Sequence, residues 1–266
     1  MKAFKDKYGD WGLVTGASSG IGNEYATHIA SQGLNIILVA RNEKKLRDIE
    51  KELISKYKVN VEVIAADLTI ESDIETLFKK TNDLEIGLLV NNAGREDSNH
   101  FVKIPVKQHL NTIDLNIKTP LILTHHFGAK MIDRKKGGII NMSSLVSFQG
   151  VPYVANYAGT KAYNLIFSEG IAAEFKKHNS DVLAVTPGFT KTNLAMVYDF
   201  TGTPFTPLEA GFVAKKALKD LGRKRLSIPG FINAFLYWNG KFLFSRPMNT
   251  TAFGMVFKKV LRNTLK

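Results

Sequence analysis

Tyr157 and Lys161 stand four residues apart in YAGTKAYN (157–164), a stretch with helical spacing. A helix places such a pair on one face, one turn apart. A free phenol ionises near pH ~10, so phenolate is scarce at neutral pH. An adjacent ammonium favours the ionised form and lowers that value. On its own the pair reads first as a surface tyrosine lying on a lysine stem, and a role in proton exchange needs support from the rest of the chain. Tyr153 is a competing phenol, but it has no lysine four residues on.

A second chemical feature is TGASSGIG (15–22), between an apolar run and a helical stretch. Gly16, Gly20 and Gly22 allow a tight turn and close approach of the backbone to a pyrophosphate. The helix that follows offers free N–H groups and its positive dipole end to phosphate. Ser18, Ser19 and Ile21 complete the loop. The next apolar run, NIILVA (35–40), is followed by Arg41 and Asn42, where a fold selecting NAD carries an acid for the ribose 2′-hydroxyl. An arginine suits a 2′-phosphate through charge-assisted, bidentate hydrogen bonds. The expected cofactor is NADP(H) in preference to NAD(H), against the plainer reading of a solvated arginine at a strand end.

These residues need elements to hold them. Apolar, β-rich runs at 11–16, 35–40, 61–69, 86–94, 137–144, 181–188 and 225–230 alternate with helical stretches at 23–33, 42–57, 72–83, about 107–134 and about 154–178. Ser72 is a plausible N-cap. Thr206, Pro207 and Glu209 read as a capping box opening a helix over 206–220. Continuous apolar strands between helices imply a parallel sheet covered on both faces. The expected fold class is α/β, a single doubly wound domain over 1–230 with a helical extension over 231–266.

In order, TGASSGIG, Asp67, NNAG (91–94), Asn116, Ser144, YAGTK (157–161) and PGFTKT (187–192) resemble the short-chain dehydrogenase/reductase family over roughly the first 200 residues. The Gly motif and the chain length match its short branch rather than its epimerases and dehydratases. The resemblance implies a Rossmann-type sheet of about seven parallel strands, a nicotinamide cofactor and carbonyl–alcohol chemistry. It makes Tyr157 the group that exchanges a proton with the substrate oxygen and Lys161 the cation that lowers its pKa and holds the nicotinamide ribose. Ser144, at the family's spacing before Tyr157, would hydrogen-bond the substrate oxygen, with Ser143 as its neighbour. Asn116 would support a water-linked proton relay. Asp67 and Leu68 match positions beside the adenine. Asn91, Asn92, Ala93 and Gly94 match the turn past the adenosine ribose. Pro187, Gly188, Thr190 and Thr192 match the loop over the nicotinamide. NADP-preferring members often carry a basic residue inside the Gly loop; here Ser18 and Ser19 stand there, which leaves more of the selectivity to Arg41.

The same resemblance makes 189–205 a lid, with Leu194, Met196, Val197, Tyr198 and Phe200 as an apolar wall. It also implies a homodimer or homotetramer through the helices near 115–134 and 157–176. The expected substrate is a small, hydrophobic carbonyl or alcohol: a 3-ketoacyl thioester, a steroid-like ketone or a xenobiotic carbonyl. A catalytically silent dinucleotide-binding sensor or scaffold is the alternative.

Composition removes other classes. The 266 residues are 44% hydrophobic, which allows a sizeable core, and contain no cysteine, which excludes disulfides and thiolate chemistry. The scattered histidines, His125 and His126 included, have no paired carboxylates nearby, so no metal site is expected. The N-terminus has the character of neither a secretory signal nor a membrane span, and a cytoplasmic protein is expected. The net charge of +12 comes without a nucleic-acid motif. The tail from 231 mixes aromatics with Lys258, Lys259, Arg262 and Lys266, and three roles compete for it. It is a lid or subunit contact, a basic amphipathic helix on an anionic membrane surface, or a guide for a hydrophobic substrate.

Overall fold

The computed structural model describes residues 2–265. Seven strands form one parallel sheet: β1 (Trp11–Thr15), β2 (Asn35–Ala40), β3 (Val61–Ala65), β4 (Ile86–Asn91), β5 (Gly137–Met142), β6 (Ser180–Val185) and β7 (Leu226–Ser227). Their order is β3-β2-β1-β4-β5-β6-β7. The chain runs outward from β1 through β3, then crosses back to β4 and runs the other way. Ligands of such sheets bind beyond the carboxyl ends of the strands where that direction reverses, here between β1 and β4.

Every residue of β4, β5 and β6 is buried, which is why these segments read as mainly apolar runs. Alternate side chains feed two cores. Val14, Ile36, Leu38 and Val90 face α2 (Gly20–Ser31), α3 (Glu43–Tyr57) and α8 (Ala210–Asp220). Leu13, Ile37, Val39 and Leu89 face α4 (Glu71–Lys80), α6 (Thr119–Asp133) and α7 (Ala155–Lys176).

The sequence reading differs from the structure in several places. A helix α1 (Lys2–Tyr8), not expected from its charged sequence, precedes the sheet. It is anchored by Tyr8, whose hydroxyl donates to Asp181 Oδ2 at 3.0 Å, and by a Lys7–Asp181 ion pair at 2.6 Å. α4 starts at Glu71 after an N-cap at Ile70, so Ser72 lies inside the helix rather than capping it. Asp73 of its first turn instead accepts the Asp67 backbone N–H at 2.7 Å. The capping box at Thr206–Glu209 does not form. Residues 206–209 are extended because Leu208 bridges to Thr190, exchanging backbone bonds with Phe189 and Lys191, and the helix begins at Ala210.

The long helical stretch expected near 107–134 is divided. α5 (Val106–Ile113) widens into a π-turn over Asp114–Lys118 before α6. Such turns are rare and concentrate at functional sites. The tail folds into α9 (Phe231–Phe242) and α10 (Arg246–Val260). From it, Phe257, Val260 and Leu261 are buried in a third cluster with Val146, Val151 and Tyr157.

Candidate active site

A cavity of about 1300 Å³ opens along the carboxyl ends of the strands, from Arg41 and Asp67 to Tyr157 and Lys161. The Gly-rich turn forms its floor. Gly16 and Gly20 have φ of 66° and 56°, a region that glycine enters without strain. At Gly22 a side chain would fall onto the Gly16 carbonyl oxygen and the Asn92 amide, so this glycine is a packing requirement beneath the cavity rather than part of its lining. Ser19 caps α2 without a side-chain hydrogen bond, which leaves the first-turn amides free for an anion.

Asn92 fixes this turn from β4. Its Nδ2 donates to the Thr15 carbonyl at 3.0 Å, and Thr15 Oγ1 accepts the Asn92 and Ala93 backbone N–H groups, each at 3.0 Å. Asn91, paired with Asn92 in the sequence reading, does not reach the cavity. It is buried and donates to Thr124 Oγ1 at 3.0 Å and Asn141 Oδ1 at 2.8 Å, part of a polar ladder among the helices and strands. Alternation along a strand sends the two neighbours in opposite directions.

At the outer end, Arg41 is 80% exposed and its guanidinium is 3.8 Å from Asp67 Oδ2. Asp67 Oδ1 is taken by Thr69, through its backbone N–H at 3.0 Å and its hydroxyl at 2.7 Å. Burial raises the Asp67 pKa, but these bonds and the Arg41 charge outweigh it and leave the carboxyl below its usual range. Asn42 lines the cavity, yet its side chain is engaged as the N-cap of α3, accepting Lys45 N–H at 3.0 Å. Leu68, Ala93 and Gly94 also face the cavity, as do Ser18, Ser19 and Ile21.

At the inner end, Ser144, Tyr157 and Lys161 converge on the cavity. Tyr157 and Lys161 belong to α7, and the Lys161 ammonium is 5.7 Å from the Tyr157 ring centre. Lys161 Nζ donates to the Met142 carbonyl at 2.9 Å at the end of β5. Burial holds its pKa down to about 8, against the pull of Glu96. Burial also raises the Tyr157 phenol, Glu96 raises it further, and a hydrogen bond with Ser144 works the other way. Ser143 is occupied elsewhere, its hydroxyl donating to the Lys161 carbonyl at 2.7 Å. Tyr153 is not in the cavity wall; it has φ of 70° and packs edge-on against His100.

Asn116 lies in the π-turn and is fully buried, behind the cavity rather than in its lining. It clamps the loop after β4: its Oδ1 accepts Arg95 N–H at 3.0 Å and its Nδ2 donates to the Arg95 carbonyl at 2.9 Å. A methyl group on Gly94 would sit 3.3 Å from Asn116 Oδ1 and 3.4 Å from Lys161 Nζ, so both groups stand over this glycine.

Pro187, Gly188, Thr190 and Thr192 line the opposite wall. Thr192 packs on Gly20, and α9 reaches in to set Asn233 against Gly188. Of the expected lid residues, Leu194 and Tyr198 face the cavity. Met196 and Val197 point outward, Met196 being 79% exposed, and Phe200 packs on Phe189 instead. A short helical turn over Asn193–Val197 sets this alternation.

Two wall groups carried no sequence signal as a pair. Glu96 accepts hydrogen bonds from the Tyr198 and Ser98 hydroxyls on the same oxygen. Burial lifts its pKa above the usual carboxylate range against those bonds, helped by Asp97 and opposed by Lys161. The loop holding it is pinned by buried Asp97, which accepts from Thr112 and from Gln108 Nε2 at 2.9 Å. Much of the remaining lining is apolar, Val146, Phe189, Phe205, Leu236, Phe253 and Phe257 among it. His126 stacks on Phe78 at 3.7 Å, away from the cavity.

Comparisons with known proteins bear on the family and the fold. A family model described as short chain dehydrogenase matches residues 11–199. A 7beta-hydroxysteroid dehydrogenase of Mediterraneibacter gnavus is 29% identical over 235 residues, covering 85% of this chain and 88% of that protein. A very-long-chain 3-oxoacyl-CoA reductase of Meyerozyma guilliermondii is 33% identical over 248 residues, covering 89% and 72%. Among solved structures, a short-chain dehydrogenase from Sphingobium yanoikuyae in complex with NADPH superposes with a TM-score of 0.80 at 30% identity, covering 87% of this chain and 91% of that one.

Proposed function

The chain belongs to the short-chain dehydrogenase family and is an oxidoreductase acting on hydroxyl and keto groups, and on that premise we propose that it transfers a hydride between NADP(H) and a bulky, hydrophobic ketone or alcohol. The observation that carries this reading is the convergence of Ser144, Tyr157 and Lys161 on one cavity whose floor is the Gly-rich turn.

The residues fit a dinucleotide. Uncapped amides at the start of α2 would donate to the pyrophosphate, and the positive φ of Gly16 and Gly20 shapes the turn that presents them. All line the cavity; with a cofactor bound, Ala93 and Gly94 would hold the ribose and Asp67 and Leu68 the adenine, while Pro187, Gly188, Thr190 and Thr192 would hold the nicotinamide. Arg41, exposed at the Asp67 end of the cavity, would pair with a 2′-phosphate, which supports a preference for NADP(H). When bound, the nicotinamide supplies or accepts the hydride.

The chain's own residues handle the proton. In the reducing direction the Tyr157 phenol donates to the substrate oxygen while Ser144 holds that oxygen by a hydrogen bond. The Lys161 ammonium stabilises the phenolate left behind. In the oxidising direction the same phenolate takes the hydroxyl proton. Asn116 positions the loop carrying Gly94 and Glu96. The aromatic and aliphatic wall excludes water and accepts a large apolar body. Exposed Leu121 and Ile166, on the helices expected to pair copies, support a homo-oligomer.

The test is oxidation of NADPH and NADH by the full chain on oxosteroids, bulky aryl ketones and long-chain 3-oxoacyl thioesters. The reading expects turnover with NADPH on at least one bulky class. Binding of NADPH with no turnover on any class would leave a dinucleotide-binding protein without this chemistry.

A further inference from the structure

α9 has two unlike sides. Phe231, Phe235, Trp238 and Phe242 recur at spacings of four, three and four residues. At about 100° per residue they fall within about 60° of one another on the helix. All four are exposed, Phe231 to 87% and Trp238 to 55%, and no residue of α9 is buried. The other side of the helix turns Asn233 and Leu236 into the cavity. The aromatic stripe is therefore the outer surface of the cavity wall. Scattered exposed apolar residues need no explanation, but four aromatics in one stripe do.

The charge around the stripe selects what covers it. Residues 231–266 contain Lys241, Arg246, Lys258, Lys259, Arg262 and Lys266 and no acid, within a chain of net charge +12. Arg262 is paired with Asp199, and Lys259 is bound to the Gly202 carbonyl. Among the described residues Lys241, Arg246 and Lys258 join no ion pair. Lys241 stands 5.4 Å from the Phe242 ring centre, so cation and aromatic are side by side at one end of the stripe. A second copy would bring like charge onto like charge. An anionic lipid surface would meet both features at once: aromatics enter the headgroup–acyl boundary and the cations face the headgroups.

We propose that the α9 stripe, flanked by Lys241 and Arg246, docks the protein on an anionic bilayer surface. None of the described helices is long and apolar enough to cross a membrane, so the contact is peripheral. Because α9 and α10 also wall the cavity, docking places the cavity next to the lipid, where an apolar ligand is concentrated. The docking itself stands apart from the reductase reading, and its test uses no substrate.

The test is co-sedimentation of the full chain with vesicles of phosphatidylcholine containing phosphatidylglycerol, and with phosphatidylcholine alone. Trp238 reports insertion directly. The only other tryptophan, Trp11, packs against the core from β1. The expected results are binding to the anionic vesicles at low salt, a blue shift of Trp238 emission, and release at high salt. The F231S/F235S/F242S variant, altered at exposed positions outside the cavity lining, is expected to partition at least about tenfold less while retaining its helical signal and NADPH binding. Absence of wild-type binding to anionic vesicles at low salt would overturn the proposal. So would equal partitioning by the triple variant, or a concentration-dependent dimer abolished by the triple substitution with no vesicle binding.

Discussion

Replacing Lys161 by methionine keeps the length and apolar stem of the side chain and removes one buried charge. That charge lies 5.7 Å from the Tyr157 ring centre. With the ring centre standing in for the phenolate charge and an effective dielectric constant of about 20, a unit cation at this separation would stabilise the phenolate by about 3 kcal/mol. This corresponds to about two pKa units. The rising limb of the pH profile for alcohol oxidation should therefore move up by about two pH units in Lys161→Met. At neutral pH, below the limb, kcat should fall about a hundredfold. Wild-type Lys161 is itself held down to about 8 by burial, so the difference between the two proteins should be largest below that pH and shrink above it. The assay is NADPH formation from a turned-over alcohol at saturating NADP, with cofactor affinity measured separately to remove any loss of ribose binding. An oxidation profile with its limb unmoved and rates within threefold of wild type would refute the electrostatic role of Lys161.

Three further outcomes are expected. Glu96→Gln removes an anion that raises the Tyr157 pKa, so the same limb should move to lower pH, opposite to Lys161→Met; an unmoved or raised limb would contradict the coupling. Arg41→Ser should raise the KM for NADPH about tenfold and leave that for NADH nearly unchanged, the modest size following from the exposure of the guanidinium. An equal change for both cofactors would show that Arg41 does not read the 2′-phosphate. Phe257→Ala should lower unfolding stability by about 3 kcal/mol in a denaturant titration, because this ring is buried against Phe189 and Tyr198. A loss below about 1 kcal/mol would mean that α10 is not part of the cooperative fold.

The sheet was legible because β4, β5 and β6 are buried on both faces and contain almost nothing but small and apolar residues. The Gly-rich turn and the Tyr157–Lys161 pair were legible because their roles depend on local spacing. The pair of Glu96 and Tyr198 was not: the two residues are separated by 102 positions and meet only when the lid folds over the loop after β4. Thr206–Glu209 carries every local mark of a helix start, yet a bridge to Thr190 takes its backbone, a tertiary bond that no local signal reports. The direction of Met196 and Val197 depends on one short helical turn, and the π-turn at Asn116 is a single extra residue in an otherwise helical run. The tail's aromatics announced an unusual segment, but only their placement separates Leu236 in the cavity from Trp238 outside it.

The most direct measurement is isotope transfer from NADPH deuterated at the nicotinamide C4 position into a bulky ketone, with wild type and Tyr157→Phe compared at equal cofactor occupancy. Deuterium at the carbinol carbon of the product with wild type, reduced by orders of magnitude in Tyr157→Phe, is the expected result. Equal transfer by both proteins, or none by wild type with cofactor bound, would contradict a reductase whose proton passes through Tyr157.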